Sequence, residues 1–232
     1  AEQHPGPAIL GLPQYDIETG GLIDRGSLLD PFMNPVPNLD RDRTDVGMVM
    51  GACLWIPRAL WEELGGFPEW FGSLAEDLYL CCLARLRGVP VTVLPESGYD
   101  HWVGRSFRGG KVVRNALQTS YRRRALSERN KSFTFFVCWP TALVYPCFGV
   151  HLILLLLEGL LLTGIKGDRK ILEEIYLYCL RALWKERDRL PRERYTAQTS
   201  RKVGVTRFFS AFTSVPYKLK MLLRFGLPAI RP

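Results

Sequence analysis

The residues able to do chemistry gather between Gly51 and Ser106. Glu76 and Asp77 stand side by side at the head of "EDLYL", just after Ser73. That spacing predicts a capping box from Ser73 to Glu76, and the helix dipole favours acids in a first turn, which would hold Asp77 ionised. His101, in "HWVGRS", is a lone imidazole suited to a structural hydrogen bond, to weak ligation of Mg or Mn, or to a phosphate oxygen. Arg105 and Ser106 carry donors that fit phosphate oxygens. Arg105 is also the first of nine basic residues, against one acid, between Arg105 and Lys131. Gly51 and Ala52 leave room for a sugar or nucleotide against the backbone, or for tight helix–strand packing. Trp70 and Phe71 offer ring faces to a sugar or to the core. Other chemistries lack their residues. The six cysteines show no Cys-x-x-Cys spacing, three scattered histidines cannot complete a zinc site with them, and the Gly-x-Ser-x-Gly turn of a serine hydrolase is absent.

The elements that must position these residues alternate. "AILGL" (8–12) and "VGMVMGACLWI" (46–56) read as strands. Pro57 suits the first turn of a helix through "PRALWEELGG", which Gly65 closes in a left-handed conformation. A second helix runs from Ser73 to Arg87 and ends at Gly88, and "VPVTVLP" is a buried strand. This is an α/β arrangement. The first 45 residues are dense in Pro, Gly and Asp and predict a long loop with at most one hairpin, in which Asp40 to Asp42 form a solvated turn. With 47% hydrophobic and 23% charged residues the chain is globular in composition, not disordered or collagen-like.

The net charge of +8 is unevenly spread: residues 1–132 carry 15 basic and 16 acidic side chains, residues 166–232 carry 16 and 6. Between them, Phe133 to Ile165 holds only His151 and Glu158 as ionisable side chains. Thr141 to Leu162 alone is long enough for the ~20 residues that cross a bilayer, and its leucines lie all round the helix. Pro140 and Pro146 break or kink the stretch near its start. Basic residues on both flanks favour both ends on the cytoplasmic side, hence a re-entrant or interfacial hairpin over a single crossing. A charged Glu158 there needs a polar partner, a proton or a headgroup. Ile171 to Leu190 has apolar residues at helical spacing, for a helix on anionic lipid or packed on the soluble domain. Fingers, RNP aromatics and a basic zipper are absent, so nucleic acid is not the expected partner. Three regions follow: 1–132, 133–165 and 166–232.

The pieces "GACLWIPR", "ELGGF", "EDLYL", "HWVGRS" after a strand, and "RN" at Arg129–Asn130 before an apolar stretch, in this order, resemble the second half of the catalytic domain of family 2 glycosyltransferases. These are inverting enzymes of the GT-A, Rossmann-like fold, and the likeness is to the rhamnosyltransferase-like group, over roughly residues 8–225. The resemblance implies that Asp77 is the general base and that Glu76, Gly51, Ala52, Gly66, Phe67, Trp70, Arg105 and Ser106 border the substrates. It also implies that His101 lies near the diphosphate and its metal. A divalent metal, Mg or Mn, would be held mostly by an N-terminal nucleotide-binding half with an Asp-x-Asp motif, which has no counterpart here, so a C-terminal portion of such an enzyme is expected. The implied partners are a nucleotide-sugar donor, a glycan or lipid-linked acceptor and the membrane, at its cytoplasmic face. A non-catalytic membrane-anchored module of the same descent is the alternative. A processive synthase would carry Gln-x-x-Arg-Trp, which is missing.

Overall fold

The computed structural model describes residues 6–95, 97–102, 111–113 and 116–231. It is mixed α/β with several small sheets. In the first part β1 (Ile9–Gly11) is central, antiparallel to β6 (Leu54–Trp55) and parallel to β7 (Val91–Val93), with Leu10 opposite Trp55 and Thr92. The run Ala8–Leu10 is at most 2% exposed, as an unbroken apolar strand between covered faces requires. A second sheet sets β2 (Gln14–Asp16) between β3 (Leu22–Asp24) and β8 (Tyr99–His101), and β4 (Ser27–Leu29) pairs with β5 (Pro35–Pro37). The expected long loop thus contains two hairpins, because Asp16 and Asp30 fold back onto nearby amides and close their turns locally. Residues 46–56 are also not one strand. Apart from the bridge at Met48 and the pair Leu54–Trp55, they include a 3₁₀ turn at Gly51–Cys53.

Helix α1 (Arg58–Leu64) follows Pro57 and ends at Gly65 with φ +83°, as expected. After a 3₁₀ turn at Glu69–Phe71, α2 (Glu76–Leu86) runs almost wholly buried to Gly88. β9 (Lys111–Val113), β10 (Ala116–Ser120) and β11 (Ala229–Arg231) form a third sheet, in which the end of the chain returns beside β10. Ser120 caps α3 (Tyr121–Cys138) through the Arg123 amide, and Pro140 forces Trp139 out of helix. The apolar stretch is therefore divided. Phe133, Phe135, Val137 and Cys138 are the end of α3, buried in the main core with α2, β1 and β7, and the exposed apolar helix is α4 (Val144–Lys166).

Several of the remaining helices pack on α3. α5 (Arg169–Ile171), a π turn at Leu172–Tyr176 and α6 (Leu177–Lys185) form one continuous rod. Its π turn adds a residue to the inner face, so that Ile175 and Tyr176 are both fully buried, with Cys179, against α3 and α4. Of the two uses expected for this helix, packing on the rest of the molecule is the one observed. α7 (Arg189–Thr199), α8 (Val205–Phe209) and α9 (Tyr217–Phe225) complete the chain. Between α3, α4 and α9 lies a charged network. Glu158 meets Arg124 at 2.6 Å and Lys218 at 2.7 Å, Lys218 meets Glu128 at 2.8 Å, and Lys131 meets Glu128 at 3.3 Å and the Asn34 amide oxygen at 2.5 Å. Glu158 has thus found polar partners, as a charge on an apolar helix must.

Candidate functional site

The site forms where the first turn of α2 faces the 3₁₀ turn Gly51–Cys53. Asp77 Oδ2 accepts from the Gly51 amide at 3.0 Å, and Oδ1 accepts from the Leu78 amide at 2.8 Å. Gly51 and Ala52 are exposed, so they line an opening and are not packed between helix and strand. A side chain at Gly51 would begin 3.6 Å from Asp77 and from the Phe67 ring, so Gly51, Phe67 and Asp77 are neighbours. Burial pushes the Asp77 carboxyl up despite amides that favour its anion. The expectation that the helix end dominates is corrected here, because desolvation outweighs two hydrogen bonds.

Sequence reasoning missed two neighbours. Asp24, at the end of β3, is 5% exposed and accepts from Ser27 Oγ at 2.9 Å. Burial pushes its carboxyl up, against hydrogen bonds from Ser27 and Gly26, and the Asp77 charge adds to the rise. Tyr99 on β8 donates to Gln14 Oε1 at 3.1 Å, and burial followed by the charges of Asp24, Cys53 and Asp77 raises its phenol. Asp24, Tyr99 and Asp77 are thus close enough to act on one another electrostatically.

The loop into α2 explains its placement and corrects the capping box. Ser73 makes no cap; the cap position is Ala75, at φ +63°, after Leu74 at φ +71°. The fully buried Asn130 amide donates to the carbonyls of Phe71, Ser73 and Leu74 at 3.1, 2.9 and 2.7 Å, and Arg129 also donates to Phe71. This clamp turns the chain through two left-handed residues and moves the helix cap from Ser73 to Ala75, two residues later than the capping-box spacing predicts. Glu76 is half-buried, with Oε2 unpartnered; burial and then Asp77 raise its carboxyl.

Other candidates divide. Gly66, at φ +67°, would place a side chain 2.8 Å from the Trp61 ring, so it serves packing, and Trp61 meets Phe67 edge-on at 5.0 Å. Trp70 lies among Phe71, Phe133 and Tyr79, with Arg189 over its ring, and Phe71 is fully buried, which is the core use of both. His101 ends β8 opposite Asp16, its ring 6.2 Å from that of Tyr99. Among the described residues no three His, Cys, Asp or Glu side chains come together as a metal site. Arg105 and Ser106 lie outside the described residues. Compared with known proteins, the chain matches no family model and no curated protein.

Proposed function

We propose that this chain is the acceptor-side half of a GT-A glycosyltransferase domain, rhamnosyltransferase-like, which transfers a sugar from a nucleotide-sugar donor to a glycan or lipid-linked acceptor with inversion, at the cytoplasmic face of a membrane. The observation that carries this reading is Asp77. It is a carboxylate at the start of a helix, beside an exposed glycine turn, steered by two backbone amides and made more basic by burial. In the reaction the acceptor oxygen attacks the anomeric carbon, its proton passes to Asp77, and the bond to the diphosphate breaks with its electron pair leaving on the nucleotide. A carboxyl raised by burial is a stronger base once it is ionised. Asp24 and Tyr99, which act electrostatically with Asp77, are the groups that would offer a hydroxyl of the acceptor sugar hydrogen-bond partners.

Support comes also from the "RN" pair of the resemblance, since Arg129 and Asn130 hold the loop that sets the position of Asp77. The test is to express the natural full-length protein in membranes and offer labelled nucleotide sugars in turn. The proposal predicts transfer from one of them into a glycan or lipid product whose anomeric configuration is opposite to that of the donor. Retained configuration would refute the mechanism, and no transfer from any donor by folded, membrane-bound protein would favour the non-catalytic module.

A further inference from the structure

We propose that α4 lies flat in the interfacial layer of an anionic phospholipid bilayer, with α9 beside it, and does not cross the membrane. This deepens the membrane part of the reading above and rests on it, but owes nothing to sugar transfer. Among the described residues α4 is the one helix long and apolar enough to span, yet only 22% of its most apolar window is buried, unlike a core helix. Its outward face, including Val150, Ile153, Leu157, Leu160, Leu161 and Ile165, is exposed and aliphatic. Its imidazole and its carboxylate turn inward: His151 Nε2 lies 2.8 Å from Ser132 Oγ, and Glu158 sits between Arg124 and Lys218.

The inward face stays attached along its length. Val144, Leu155 and Leu162 are buried, and at Gly159 any side chain would lie 2.6 Å from the Tyr176 ring, so helix and ring are in direct contact. Residues 144 to 162 cover about 27 Å of axis, close to the ~30 Å of bilayer hydrocarbon. Whatever lies beside α4 would share its depth if it crossed. Beside it runs α3, joined at one end by the Tyr121 hydroxyl to Asp168 and at the other by Arg194, which donates to the carbonyls of Trp139 and Thr141 at 2.7 and 3.0 Å. That neighbour carries Arg122, Arg123, Arg124, Glu128, Arg129 and Lys131, and charges at the bilayer centre are costly. Lying flat removes the conflict.

Charge chooses lipid over a second copy. Exposed Lys166, Arg169 and Lys170 follow α4, and exposed Lys220 and Arg224 stand on α9 among the exposed Leu219, Leu222 and Leu223. Aliphatic side chains rimmed by cations suit acyl chains beneath anionic headgroups. Between Val150 and Ile165 the outward face has none of the aromatic or arginine anchors that centre protein interfaces.

The test is depth-dependent quenching on vesicles of phosphatidylcholine and phosphatidylglycerol. Single cysteines at Val150, Leu157, Leu161 and Ile165 carry a bimane label, in a full-length background lacking the part-buried Cys53 and Cys147. Lipids bearing a doxyl quencher at shallow or deep positions report the depth of each site. The proposal predicts similar, shallow depths at all four. Depths that differ by tens of ångströms along the helix, about 22 Å between residues 150 and 165 if upright, would overturn it while leaving membrane association intact. Absence of quenching would mean that protein covers this face, and would overturn both. As a second readout, Leu157→Asp with Leu161→Asp, which alter exposed positions and leave the fold to be checked by circular dichroism, should weaken vesicle flotation by about tenfold or more. Unchanged flotation by this folded variant would also overturn the proposal.

Discussion

Asn130 shows how a residue far from the chemistry can decide it. One buried amide binds three carbonyls of the loop before α2 and holds Leu74 and Ala75 in left-handed conformations that β-carbon-bearing residues seldom adopt. Asn130→Ala leaves those carbonyls without that donor and should cost about 2–4 kcal/mol, read as a lower thermal midpoint. An unchanged midpoint would show that the loop holds its shape unaided. Asp77, Gly51 and Phe67 were legible as a group because they lie in short motifs. Asp24 was not, because it stands in a segment whose Pro, Gly and Asp content reads only as turns, whereas it lies on β3 opposite Gln14 of β2. In the proposed mechanism Asp77 acts as its anion, so kcat should fall as pH drops through a carboxyl raised by burial, at a higher pH than an ordinary aspartate would give. A kcat flat down to the ordinary aspartate range would argue against it.

At the level of elements, α1 and β7 sit close to where patterning put them, since local signals suffice: Pro57 before a helix, Gly65 after it, and an apolar run between turns. The start of α2 was misplaced because the deciding contact comes from a residue more than fifty positions later. The division of the apolar stretch at Pro140 was only partly legible. Two prolines marked a break, but which side enters the core depends on α2, against which Phe133 and Phe135 pack. The joint between α4 and the α5–α6 rod makes a sharp prediction. Gly159→Leu must displace the Tyr176 ring or the helix, and should destabilise the fold by about 1–3 kcal/mol or more. The same substitution at Gly149, which has open space around it, should change stability by less than about 1 kcal/mol, the glycine-to-leucine gain in helix propensity included. Equal effects at both positions would deny the close contact.

For the whole molecule, the charged network ties the regions of the chain together, since Asn34, Glu128, Glu158 and Lys218 come from four separate segments. Burial alone would raise the Glu128 carboxyl, but Lys131, Lys218 and Arg124 overcome it and hold it well below the usual carboxylate range. Its folded-state value is depressed, so its contribution to stability is present above the unfolded carboxylate range near 4.5 and is lost as pH falls below it. Glu128→Gln leaves Lys131 and Lys218 without that anion and should cost about 3–5 kcal/mol at neutral pH, with a smaller loss in acid. A penalty that grew in acid would reverse the sign of this account. The sequence announced only Glu158, a charge on an apolar stretch that needs a partner; Arg124, Glu128 and Lys131 stand at helical spacing but each reads singly as a solvated charge, and nothing marked Asn34 or Lys218 as their partners.

The most direct test of the proposed role of Asp77 compares Asp77→Asn with the wild-type full-length protein, measuring kcat for sugar transfer and donor-nucleotide affinity in parallel. Both Asp77 oxygens accept from backbone amides, and an asparagine can match only one of them, so thermal stability is recorded beside the rates. The account predicts a folded variant that binds the nucleotide nearly as well as wild type and transfers sugar about 10²–10⁴-fold more slowly. A folded variant that keeps most of its kcat, or that loses donor affinity in proportion to its rate, would contradict a role for Asp77 as the base.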